Sequence, residues 1–234
     1  MSVDSTKDIV VKQRRHQRLP EEVASYVREL IISGTVRPGE FLRIDRIAEQ
    51  VGVSITPVRE GLGILRGQGF VRLLPRRGFM VAPFSQQDIH DLFWAQAVLA
   101  GELAARAALR ITPDKLAELE RISALYEKAN GSNNIADVVE LSHAYHREIN
   151  RAAGSMRLAM LLDSVVKTLP PHFYASIDGW IEETRHDHPE IINVLRQGDA
   201  EKARALMKHH ISFGADRLIE TLSARGMWGS ETDR

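Results

Sequence analysis

The sequence predicts a mainly α protein in two parts: a small three-helix unit closed by a β-hairpin, then an antiparallel all-α bundle. Three observations carry this. Apolar residues recur at helical spacing through most of the chain. Two short strand-like runs, Phe70–Leu74 and Gly78–Val81, stand on either side of Pro75-Arg76-Arg77-Gly78. After Val81 no comparable run of alternating apolar and polar residues occurs, while helix start and stop signals repeat.

The 234 residues suffice for two domains, and 44% apolar with 26% charged residues is ordinary for a globular protein. No apolar run approaches the roughly 20 residues needed to span a bilayer, and the N-terminus is polar rather than secretory, so a cytoplasmic protein with no membrane partner is expected. With no cysteine, a metal site must be built from His, carboxylate or water. The net charge is zero, yet residues 1–84 carry 14 Lys+Arg against 9 Asp+Glu and the remainder 17 against 22. A basic first part on an acidic body suits a nucleic-acid reader fused to a regulatory unit, although segregated solvated charge gives the same count.

Residues 1–18 read as a flexible basic tail with Lys12, Arg14, Arg15, His16 and Arg18 near its end. Leu19-Pro20-Glu21-Glu22 opens a helix with Pro and acids in its first turn; Val23, Val27, Leu30 and Ile31 form its stripe and Ser33-Gly34 ends it. Leu42, Ile44, Ile47, Ala48 and Val51 mark a second, short amphipathic segment that Gly52 breaks. Ser54 is placed to cap a third helix, and Pro57 falls in its first turn, where amide hydrogens have no intrahelical acceptor. There Val58, Leu62 and Leu65 share a buried stripe, and Thr56, Arg59, Gly63 and Arg66 fall opposite. A helix apolar behind and carrying Thr and Arg in front is suited to a DNA major groove. Residues 19–82 thus read as a winged helix-turn-helix. Its candidate DNA-binding residues are Arg46, Ser54, Thr56, Arg59 and Arg66, with Arg76, Arg77 and Gly78 in the wing; the competing role for the wing is a plain solvated turn.

Residues 83–85 are a short linker, 86–226 the helical domain and 227–234 a C-terminal tail. Helices are expected near Ser85–Leu109, Thr112–Ala129, Ile135–Ala153, Met156–Leu169, Phe173–Thr184, Pro189–Arg196 and Asp199–Arg225. Seven of the nine histidines lie between His143 and His210. The helical wheel turns His146 toward the core edge and His210 into it, and places His188 at the mouth of the helix opened by Pro189. Three imidazoles from three helices can hold a divalent zinc, nickel or manganese ion; the alternative is three core histidines, each satisfied by a hydrogen bond. His143 is expected to face outward, no carboxylate stands out beside the histidines as a general base, and Trp94, Trp180, Phe173 and Tyr174 suit either a pocket wall or plain core.

Pro38-Gly39, the run Val53-Ser54-Ile55-Thr56-Pro57-Val58-Arg59-Glu60, and Gly69 and Gly78 together resemble the DNA-binding domain of the GntR superfamily of bacterial regulators. Ile55 stands where that family has an Arg, so only Thr56 and Arg59 carry over as base and phosphate contacts. Tyr145-His146 with Ala152-Ala153-Gly154, His188 ahead of Gln197-Gly198-Asp199-Ala200, and Met207-Lys208-His209-His210-Ile211 resemble the FCD ligand-binding domain of FadR-like members. The resemblance implies a metal held by an Asp and three His, with a small carboxylate effector on it. Here Ser142 stands at the Asp position, Gln96 at that of an effector-binding Arg and Ala100 at that of a Glu one turn later, which implies a less acidic or differently shaped effector contacting Gln96 and Ser142. The expectation is a homodimeric regulator, a repressor rather than an enzyme, on a two-fold double-stranded operator and modulated by an organic or sugar acid. Two alternatives stand beside it: a three-His hydrolase that activates water, and a ligand-free dimerisation bundle.

Overall fold

The computed structural model describes residues 19–169, 179–224 and 226–228. The basic cluster before Leu19, Phe173, Tyr174 and the start of the helix expected from Phe173 lie outside them. The chain forms two compact units: one ends at Ser85 and takes in the segment from Leu222, and the other is Gln86–Thr221. No described helix is long and apolar enough to cross a membrane.

The first unit contains α1 (residues 19–32), α2 (Ile44–Val51), α3 (Ile55–Gly67) and the antiparallel strands β1 (Val71–Leu74) and β2 (Gly78–Val81), paired from Val71↔Val81 to Leu74↔Gly78. Val23, Val27 and Ile31 of α1 are buried, as are Ile47, Val58, Leu62, Leu65 and Phe79, so the expected stripes make the core. Gly61 sets how closely α1 and α3 approach. A Cβ there would lie 2.7 Å from the Pro20 carbonyl oxygen and 2.9 Å from Val23. Gly52, in the left-handed region at φ 73°, caps α2 by donating to Ala48 O and Glu49 O. Buried Arg28 on α1 donates to Gln68 Oε1 at 2.8 Å, tying α1 to the end of α3. The Trp228 indole donates to Phe84 O at 2.6 Å, holding the C-terminal segment to the end of this unit.

The second unit comprises α4 (Gln86–Ala108), α5 (Pro113–Gly131), α6 (Ile135–Ala152), α7 (Met156–Val166), α8 (Trp180–Gln197) and α9 (Ala200–Ser212), and α10 (Gly214–Ala224) begins in it and ends in the segment from Leu222. Leu103, Ala107, Leu119, Tyr145, Ile149, Ile191, Leu195 and Met207 form one continuous core. Two expectations are corrected. The helices expected at Phe173–Thr184 and Pro189–Arg196 are not separate: α8 runs unbroken through Pro189. An interior proline costs about 3 kcal/mol, but α8 buries Thr184, Asp187, His188, Ile191, Ile192, Val194 and Leu195, and breaking it would uncover that face. The single helix expected over Asp199–Arg225 is instead broken at Phe213 into α9 and α10, beside Gly214, a weak helix former.

Candidate metal centre and nucleic-acid interface

In α3, Val58, Gly61, Leu62 and Leu65 are buried while Thr56, Arg59 and Arg66 are exposed, which leaves the Thr and Arg side free. Ser54 has the extended backbone of an N-cap, yet its side chain makes no capping bond. The first amides of α3 therefore receive nothing from Ser54, a state suited to a phosphate oxygen. Arg46 is exposed on α2. In the wing, Arg76 (φ 60°) and Gly78 (φ 95°) both adopt left-handed backbone, which makes the tight turn. Arg77 lies with its guanidinium carbon 4.8 Å from the Phe41 ring centroid, over the face of that ring.

In the bundle, His146 on α6, His188 on α8 and His210 on α9 place one ring nitrogen each within 4.8 Å of the others. His146 Nε2 and His210 Nε2 face each other at 3.3 Å. Tetrahedral nitrogen ligands about 2.0–2.1 Å from a zinc ion lie roughly 3.3 Å apart, so this spacing fits a shared ion. The His188 ring stacks on Tyr145 at 3.7 Å and 9°, and the Tyr145 hydroxyl donates to the His188 carbonyl at 2.9 Å. His188 Nε2 is buried without a hydrogen-bond partner in the described residues, an orphan that an ion would satisfy.

Sequence reasoning missed Asp187. Its Oδ2 accepts from His210 Nδ1 at 2.9 Å and its Oδ1 from His186 Nδ1 at 3.1 Å. A carboxylate can only accept, so His210 carries its proton on Nδ1 and turns the Nε2 lone pair into the cluster. Burial alone would push the Asp187 carboxyl up, but the bonds from His210 and His186 outweigh it and hold it below the usual range. For His146 and His188 desolvation dominates, with neighbouring histidine charge added, and both lie well below the ordinary imidazole value. They are neutral at pH 7, the form that binds metal. Asp187 is thus a carboxylate next to the histidines, where the sequence singles out none as a general base. It sits on the Nδ1 side of His210, however, where it orients the ring rather than receiving a proton at the ligand side.

Ser142, 4% exposed, lies one turn before His146, and Gln96, 2% exposed, lies on α4; both are core positions. His143 is half-buried rather than outward-facing, and desolvation lowers its basicity. Trp94, at 68% exposed, faces solvent instead of lining a pocket, and Trp180 packs against the Tyr126–Ala129–Val138 cluster. A cavity of about 160 Å³ opens beside His188 between α5 and α8, with Ser123, Tyr126 and Thr184 in its wall and Glu127 and Arg185 lining it too. The Arg185–Glu127 pair is exposed, with Nε to Oε2 at 2.9 Å. The hydroxyls of Ser123, Tyr126 and Thr184 are buried and, within the described residues, lack partners of good geometry. Burial pushes the Tyr126 phenol up to about 12, so it stays a donor throughout the physiological range.

Residues 19–81 match the gntR family of bacterial regulatory proteins and residues 91–213 match the FCD domain. The Glc operon transcriptional activator of Escherichia coli is 28% identical over 219 residues, covering 82% of this chain and 85% of that protein. The transcriptional repressor GlaR of Escherichia coli is 25% identical over 201 residues, covering 80% and 89%. Among solved structures, Escherichia coli McbR/YncC superposes with a TM-score of 0.65 at 21% identity, over 87% of this chain and 98% of that one. A GntR regulator from Rhodococcus gives 0.59 at 24%, over 88% and 98%. The two structures carry the fold alone.

Proposed function

We infer the function from one premise, that the chain belongs to the gntR family of bacterial regulatory proteins and carries an FCD domain: it is a cytoplasmic, effector-responsive repressor that binds a two-fold operator as a homodimer. In each half-site α3 enters the major groove, with Thr56 and Arg59 at base edges and Ser54, Arg46 and Arg66 toward the backbone. The wing, through Arg76, Arg77 and Gly78, adds contacts beside it. Met156, Met160 and Leu161 leave an exposed apolar strip on α7, which suits burial against a second copy.

The observation that carries the sensing half is the cluster of half-buried His146 with buried His188 and His210, oriented by Asp187. These imidazoles would hold a divalent zinc, nickel or manganese ion, which when bound supplies a Lewis-acidic point for an effector carboxylate. The remaining work falls to the chain. Asp187 fixes the His210 tautomer, Tyr145 fixes the His188 ring, and Ser142 and Gln96 offer neutral polar groups. Ser123, Tyr126 and Thr184 offer hydroxyls to the rest of an organic or sugar acid. Such an effector alters DNA affinity by the ratio of its affinities for the DNA-competent and DNA-incompetent arrangements.

The test is a thermal-shift screen of organic and sugar acids with and without zinc, nickel and manganese, followed by fluorescence anisotropy on operator DNA. An acid that raises Tm only with metal present and then releases DNA supports the proposal. Purified protein that takes up no divalent ion, or a bundle that no acid stabilises, would count against its sensing half.

A further inference from the structure

The first turn of α3 carries an apolar side chain that none of the roles above uses. Ile55 is the first residue of the helix and is 48% exposed, between Ser54 and Thr56, which are also exposed. Arg59 follows one turn later, while Val58, Leu62 and Leu65 turn inward and are fully buried. The core of the unit gains little from Ile55, and a β-branched residue does not favour a helix either. Ile55 shares with Thr56 the exposed N-terminal end of α3, the end by which a reading helix reaches base edges.

We propose that Ile55 reads a thymine methyl group and thereby sets one base of the operator half-site. The proposal rests on α3 being the helix that enters the major groove. There the N-terminal residues of the second helix reach base edges, and the 5-methyl of thymine is the apolar feature those edges present. Thr56 and Arg59 can hydrogen-bond; Ile55 cannot. Set against the cytosine amino group or a purine edge, Ile55 would cover a polar group and leave it unpaired, which penalises every base lacking the methyl. Ile55 therefore discriminates by both attraction and exclusion, at a position distinct from those read by Arg59.

The full-length protein and its Ile55→Ala variant are used to select duplexes from a randomised DNA pool, and circular dichroism melting checks that the variant is folded. Alanine is a better helix former, so α3 is expected to persist. The wild-type pool should enrich a thymine at one position per half-site, and that preference should flatten in the variant while the rest of the motif stays. In the selected duplex, replacing this thymine by deoxyuridine removes the methyl alone. It should weaken wild-type binding ~4-fold per half-site and leave the variant unchanged. Equal wild-type affinity for the deoxyuridine duplex, or an unchanged thymine preference in Ile55→Ala, overturns the inference while leaving DNA reading by α3 intact. A pool that wild-type protein does not enrich overturns the DNA-reading assignment and the inference with it.

Discussion

Replacing Asp187 by Asn probes the candidate centre most directly, because it removes a charge while keeping the side chain's size. In the native arrangement both carboxylate oxygens accept, one from His210 at 2.9 Å and one from His186 at 3.1 Å. An amide has one acceptor and one donor end, so it can serve only one of the two rings as the carboxylate does. If its NH2 faces His210, the proton moves to Nε2 and the lone pair aimed into the cluster is lost. If its oxygen faces His210, the tautomer survives but the charge assistance does not. Outer-shell partners of this kind are worth 10- to 100-fold in metal affinity, or about 1.4–2.8 kcal/mol. That agrees with the roughly 1.5–3 kcal/mol of a hydrogen bond to a charged group. Zinc affinity, measured by competition with a chelating dye at pH 7.5, should fall by that factor in Asp187→Asn, while His210→Ala should lose most of it. Burial opposes but the bonds from His210 and His186 hold the Asp187 carboxyl below its ordinary range, so it does not titrate in the assay at pH 7.5. A folded Asp187→Asn variant that binds zinc within about twofold of wild type would refute the orienting role of Asp187, since the expected loss is at least about 10-fold.

Three further outcomes follow from named contacts. Burial lowers the basicity of His146 and His188, so below about pH 6.5 the unfolded chain binds protons that the native state refuses. Metal-free protein should thus hold a steady Tm from pH 8 to 6.5 as far as these groups are concerned and lose stability from there toward pH 5; a Tm that rises over the acid range contradicts it. Arg59→Ala should weaken operator binding by ~5- to 150-fold if the arginine contacts a base edge, with affinity falling steeply in salt; anisotropy at several salt concentrations tests both. Gly61→Ala would set a methyl 2.7 Å from the Pro20 carbonyl oxygen and 2.9 Å from Val23, overpacking that should cost about 1–3 kcal/mol in denaturant unfolding. An unchanged midpoint would show that α1 shifts freely.

The helices of the first unit were legible because local signals and tertiary demand agree there: Gly52 ends α2, and the stripe of Val58, Leu62 and Leu65 is the buried stripe of α3. The bundle was legible where a start signal and apolar period agree, as at Thr112-Pro113. It failed where packing overrode a local signal. Pro189 reads as a helix start, but its side of α8 is exposed while the opposite face is among the most deeply buried in the bundle, so the helix persists through it. The three histidines were found by helical phase and by resemblance. Asp187 was not, because its significance lies in an imidazole 23 residues away on another helix, and no periodicity encodes that pairing. The hydroxyls of Ser123, Tyr126 and Thr184 escaped for the same reason: single polar residues on α5 and α8 acquire meaning once those helices are packed.

Charge around the histidine cluster also bears on the class of effector. Gln96 and Ser142 are uncharged, imidazoles bind a metal ion in their neutral form, and Asp187 contributes one negative charge from the outer side of His210. A divalent ion and Asp187 together leave one net positive charge, which a single carboxylate neutralises. Among the described residues, the cavity beside His188 would offer a second carboxylate the Ser123, Tyr126 and Thr184 hydroxyls but no buried cation, since Arg185 is exposed and already paired with Glu127. Desolvating an unpaired carboxylate costs several kcal/mol, more than a few neutral hydroxyl donors return. Monocarboxylic acids bearing hydroxyls should therefore raise the Tm of the zinc-loaded protein, and dicarboxylic acids of similar length should do so much less. Tyr126→Phe combined with Thr184→Val should narrow that difference by weakening the hydroxylated ligand. Stronger stabilisation by the dicarboxylates would mean that a cationic group reaches the site, and the charge balance argued from Gln96 and Ser142 would fail.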